Sequence, residues 1–168
     1  MSLTEQNGQL LAKFAKSMKS LEHKLYCSHI WLGHGHALFT QFSRNEFPVE
    51  SKFSHGSGLI EFHTHFSTWR ILHHSLEVSH QESNINDNLI GKFIDKKLIE
   101  MKFDLTNSTI SFHVEEDWVI GIVPWALSEL DEESKSSDAW AFRIHNNYYG
   151  VSCSGVVNMQ SLSDRIKT

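Results

Sequence analysis

Apolar positions recur at helical spacing along the first segment of the chain. Leu10, Phe14, Met18, Leu21 and Leu25 lie four, four, three and four residues apart, which lines one face of an α-helix. Ser2-Leu3-Thr4-Glu5 ahead of them matches a capping box, a hydroxyl followed three residues later by a Glu. The pattern predicts an amphipathic helix over about 4–22, its stripe packed on a sheet. Beyond it the period changes to two. Lys24 to Leu32 reads as a strand, Gly33-His34-Gly35 as a tight turn and His36 to Ser43 as the hairpin partner. From Gly58 to Phe66 the alternation puts Ile60, Phe62, Thr64 and Phe66 on one face and Glu61, His63, His65 and Ser67 on the other. A polar stretch fills 44–57, shorter strands follow at 68–72 and 76–79, and 81–88 is a loop.

The second half repeats this grammar. After a short helical turn at 88–94, Ile99, Met101, Phe103 and Leu105 share a face opposite Glu100, Lys102 and Asp104. Thr106-Asn107-Ser108 is a turn, Ile110, Phe112 and Val114 resume the buried face, and Trp118 to Val123 reads as an interior strand. Ala126 to Asp138 is a long acidic loop. Strands at 139–145, 148–153 and 155–160 close the run before a tail at 161–168. Cys153 alternates with Val151 and is expected to face the core. Each half offers a hairpin, further strands and then a Trp and an Arg: Trp69-Arg70 in the first, Trp140 and Arg143 in the second. The connections are too short for helical crossovers. The expectation is an α+β fold in a single domain over 1–168. It consists of a mainly antiparallel, strongly bent β-sheet with one N-terminal amphipathic helix; the two halves, 23–80 and 96–160, read either as pseudo-repeats or as two unrelated meanders.

Composition narrows the function classes. The 168 residues are 40% hydrophobic, enough for one packed core. No apolar run is long enough to span a bilayer, and the N-terminus has no apolar signal region, so a cytoplasmic chain without a membrane partner is expected. Two cysteines, Cys27 and Cys153, fit reduced thiols. A net charge of -5 argues against a nucleic-acid partner, which leaves a basic footprint. Charge is unevenly placed. Glu115, Glu116, Asp117, Glu129, Asp131, Glu132, Glu133 and Asp138 crowd 115–138 against Lys135 alone, whereas ten of the twelve histidines precede residue 85.

The string from Trp31 to Phe39, WLGHGHALF, followed downstream by Trp69-Arg70, resembles a motif of small uncharacterised bacterial proteins in which a W-x-G-x-G-x-A-L-F hairpin precedes a strand bearing Trp-Arg. His34 and His36 stand where that motif is expected to carry an aromatic and a small hydroxyl residue. In type, the chain is similar to bacterial toxin-immunity proteins of contact-dependent growth inhibition systems: small, acidic, cytosolic and free of catalytic motifs. The resemblance implies a non-enzymatic inhibitor that binds a toxin.

Carboxylates on a loop can enter a basic, phosphate-binding cleft and steer encounter with it. Trp125 beside them can anchor an interface. The predicted partner-binding residues are therefore Trp125, Glu129, Asp131, Glu132, Glu133 and Asp138, facing a toxin that is a nuclease. Against this stands the ordinary role of such a loop as a solvated surface. The alternative is a metal-binding protein or metal-dependent enzyme using the N-terminal histidines. His34 with His36, and His63 with His65 and Glu61, each share one side of a strand, although no ligand spacing with a known mechanism is present. Protonation of ten imidazoles on acidification is a third reading, with ordinary titration as its bland counterpart. Neither a G-x-S-x-G elbow nor a phosphate-cradling Gly loop occurs, so no enzyme, no cofactor and no metal ligands are assigned.

Overall fold

The structure, a computed structural model, describes residues 3–44, 60–80, 89, 92–104, 106–144 and 147–161. The polar stretch 44–57 beyond its first residue, the loop 81–88, Leu105, the tail 162–168 and parts of the capping box and of the 88–94 turn lie outside the described residues. Among the described residues an α-helix, α1 (Leu3–Lys19), precedes eleven strands. They are β1 (Tyr26–Leu32), β2 (Leu38–Ser43), β3 (Ile60–Thr64), β4 (Ser67–His73), β5 (Leu76–His80), β6 (Leu98–Asp104), β7 (Thr109–Val114), β8 (Trp118–Pro124), β9 (Asp138–Ile144), β10 (Asn147–Ser152) and β11 (Val157–Ser161).

The fold is α+β, mainly antiparallel. In place of one bent sheet there are two, ordered β1-β2-β3-β9-β10-β11 and β5-β4-β8-β7-β6. They meet where Tyr26 bridges Lys97, flanked by Cys27 N donating to Lys96 O (2.9 Å) and Leu98 N to Leu25 O (2.8 Å). The inner faces enclose an aromatic core. Phe62 lies 4.8 Å from Phe112 and 4.9 Å from Phe142, ring centre to ring centre. The helix ends at Lys19, short of the expected residue 22, and 20–24 are turns. It closes the gap between an edge of each sheet, against β6 and β11. Phe14 plugs that gap, 5.4 Å from Phe103, 5.0 Å from Phe142 and 5.3 Å from Tyr149.

Alternation reads β3 correctly: Ile60, Phe62 and Thr64 are buried, while Glu61 and His63 face outward. It misreads β6. A bulge between Leu98 and Glu100 turns Leu98 inward together with Met101, and Ile99 is only half-buried. One extra residue in a strand reverses the faces beyond it. Cys153 likewise sits at the margin of the core, half-buried, its thiol 3.3 Å from Phe66 O.

The two halves follow the same path on opposite sheets. β1, β2 and β3 meander in the six-stranded sheet, and the chain then crosses to β4 and β5 in the other. β6, β7 and β8 meander in the five-stranded sheet, and the chain crosses back to β9 and β10. The third strand of each half pairs with the fourth of the other, β3 with β9 and β8 with β4. Bulges fall at matching places, Cys27/His29 and Leu98/Glu100. Two fully buried indoles also correspond. Trp69 Nε1 donates to His36 O (2.9 Å) at the tip of the first hairpin, and Trp140 Nε1 donates to Ser108 O (2.6 Å) at the tip of the second. Both tip residues are left-handed, with φ of 63° and 51°.

Candidate functional site

The two halves differ most at their sheet-crossing corners. In the first, His65 and Phe66 alone connect β3 to β4. In the second, residues 125–137 connect β8 to β9. A two-residue corner suffices for this crossover, so the longer loop is not demanded by the fold. Loops beyond structural need are a common home of binding function.

Local bonds shape this loop. Ala126 N donates to Glu129 Oε2 (3.0 Å), Ser134 N to Asp131 Oδ1 (2.7 Å) and Ser136 Oγ to Glu133 O (2.9 Å), holding two short 3-10 turns, Leu127–Glu129 and Ser134–Ser136. Hydrogen bonds from the Ser134 side chain and backbone hold the Asp131 carboxyl below the usual carboxylate range, so it is ionised at neutral pH. Lys135 pairs with Glu132. From 126 to 138 the chain carries five carboxylates and one ammonium. At its entrance Val123, Trp125 and Leu127 are 43%, 37% and 42% exposed. Trp125 is set against the first corner, its N–H bonded to Phe66 O (2.9 Å) and its ring edge-on to Phe66 at 5.8 Å. All six predicted partner-binding residues thus lie in or at the ends of one loop.

The acidic stretch 115–138 is not one surface. Glu115, Glu116 and Asp117 form the β7–β8 turn, at the opposite end of a seven-residue strand about 20 Å long. They are engaged locally, Glu115 with Lys97 (3.9 Å), Glu116 with Lys96, and Asp117 with His74 (3.1 Å). Lys96, by hydrogen bond and charge, lowers the Glu116 pKa.

Sequence reasoning missed a pocket of about 440 Å³ between the two corners, with His65 and Phe66 on one side and Ser136 and Ser137 on the other. Asp138 lies over Gly150, where a Cβ would come within 2.2 Å of Asp138 Oδ1. Tyr148 Oη donates to Asp138 Oδ2 (3.1 Å) and stands 3.4 Å from His63 Nε2. A signal existed in the sequence, an Asp and a Tyr outward-facing on adjacent strands beside a Gly, but only the register between β9 and β10 brings them together.

The described histidines do not assemble into a metal centre. Among the described residues no three His, Cys, Asp or Glu side chains form a ligand group. His34 and His36 are exposed on a 3-10 turn. His63 and His65 are in ring contact at 4.7 Å, but Glu61 turns to Arg143 (3.3 Å) and Gln41 (3.0 Å). The Trp31–Phe39 motif is a packing unit. Trp31 stacks on Phe39 at 5.0 Å, and Gly33 is bare because the Phe39 ring occupies the space of a Cβ. Trp69 ties the tip to β4. Burial pushes the Cys27 thiol up to about 12, far from a nucleophile. Ser111 Oγ lies 3.1 Å from His113 Nε2, and Glu100, opposite His113, is paired with Lys102 (3.2 Å).

No protein-family model, no curated protein and no solved structure matches this chain. Among the described residues no helix is long and apolar enough to cross a membrane.

Proposed function

We propose that this chain is a non-enzymatic binding protein that neutralises a basic protein partner. In its most concrete form it is a cytoplasmic immunity protein that covers the active site of a cognate nuclease toxin. The reading rests on one observation: an ordered acidic loop with an exposed Trp stands where the other half of the fold turns with two residues. Trp125 and Leu127 supply apolar anchors, and Glu129, Asp131, Glu132 and Glu133 surround them with negative potential. Such a field steers a cationic cleft into contact and occupies groups built for phosphate. The anchors set the lifetime of the complex.

The test begins with capture from the source cells on wild-type bait and on Glu132→Lys/Glu133→Lys bait. The expected result is a basic nuclease retained by the first and depleted on the second. Equimolar wild-type protein then abolishes its activity, and Trp125→Ala raises the dissociation rate. A purified captured nuclease whose turnover is unchanged by excess wild-type protein would overturn the proposal.

A further inference from the structure

The pocket between the corners has a chemistry of its own. Among the described residues its one charge is Asp138, and no described cation pairs with that carboxylate. Tyr148 donates to Oδ2 (3.1 Å), and the carboxylate lies against Gly150. The rest of the lining is neutral: hydroxyls from Ser136 and Ser137, the ring of Phe66 and the imidazole of His65. Desolvation lowers the pKa of His65 against the opposing pull of Asp138, so at neutral pH the imidazole brings no competing charge.

We infer that this pocket receives a guanidinium group, the side chain of an arginine presented by the partner. The inference rests on the proposed binding role and names the chemistry of one of its subsites. An anion would be repelled by Asp138. A metal ion would find one carboxylate and no converging ligand set. A guanidinium is planar and weakly hydrated, lies flat against rings and donates in-plane to a carboxylate, whereas an ammonium gives up more hydration. Position supports the same occupant. Phe66 lines the pocket and also touches Trp125, so the guanidinium would enter beside the proposed apolar anchor. The missing side chain at Gly150 is what lets the carboxylate take its place in the pocket lining.

The probes are Nα-acetyl-arginine amide and its neutral isostere Nα-acetyl-citrulline amide, titrated into isotope-labelled full-length protein and followed by the resonances of His65 and Tyr148. The arginine probe is expected to bind about 10- to 100-fold more tightly than citrulline, the worth of one charge-assisted contact. Asp138→Asn keeps an oxygen for Tyr148 but removes the charge. Gly150→Ala keeps the charge but forces the carboxylate aside. Both are expected to erase the preference while the thermal midpoint stays that of a folded protein. Equal response to both probes in the wild type, or an arginine preference that survives in both variants, overturns the assignment. Failure here with partner binding intact removes the pocket alone. Failure of partner binding in a protein that keeps the arginine preference removes the wider reading.

Discussion

Replacing each of the two matching indoles by phenylalanine separates the cost of a cavity from that of an orphaned carbonyl. Trp69 and Trp140 are both fully buried, so Trp→Phe removes a similar volume and apolar area at each, about 1–2 kcal/mol. Each change also deletes one hydrogen bond, worth about 1 kcal/mol net. The acceptors differ. His36 is exposed on its turn and its carbonyl can take up water. Ser108 is 1% exposed, so its carbonyl stays dry and unpaired at about 1–3 kcal/mol. Trp140→Phe is therefore expected to cost about 1–2 kcal/mol more than Trp69→Phe. Urea unfolding of both variants, followed by circular dichroism, measures the difference. A gap below about 0.5 kcal/mol, near the error of the extrapolation, or a larger loss at Trp69, would refute the argument.

Three further outcomes follow from buried groups. Thr40 is fully buried and its Oγ1 has no hydrogen-bond partner among the described residues, so Thr40→Val, which keeps the shape, should raise stability by about 1 kcal/mol in the same unfolding assay. Thiol reagents should leave Cys27 unmodified in the native protein and react slowly at half-buried Cys153, whose pKa burial also raises; in denaturant both should react freely. His113 is held below its ordinary pKa by desolvation and by Lys102, against Glu100, and His65 is lowered by desolvation. Above the ordinary value of about 6.5 both folded and unfolded chains are neutral there. As pH falls below it the unfolded chain protonates first, so stability declines until the lowered folded pKa is passed. As pH falls below about 6.5, His113→Gln should flatten the fall of unfolding free energy relative to wild type; an identical slope contradicts the reasoning.

Much of the local structure was legible because it depends on short-range periodicity. The three-to-four spacing from Leu10 to Leu21 marked α1, and strict alternation sorted β3 into its two faces. The turn chemistry of Gly33 and Gly35 placed the first hairpin, Gly35 with φ 68° and Gly33 under the Phe39 ring. Ile99 was misplaced because a bulge is a property of two paired strands, and its partner β7 is not implied by the β6 sequence. The acids of 115–138 divide between two places for a related reason. Residues adjacent in sequence are carried apart by a strand running between them, and ion pairs with Lys96 and Lys97 come from elsewhere in the chain.

What the sequence by itself determined is the helix and most of the strands, the inward faces of the regular ones such as β3, and the acidic, Trp-bearing character of the second corner, since each follows from residues within one turn or one strand of each other. The tertiary structure alone decided that the halves exchange sheets, that the two corners lie side by side and that Asp138, Tyr148 and Gly150 meet over a pocket. Those features depend on strand order and register, which are set by burial summed over the whole core.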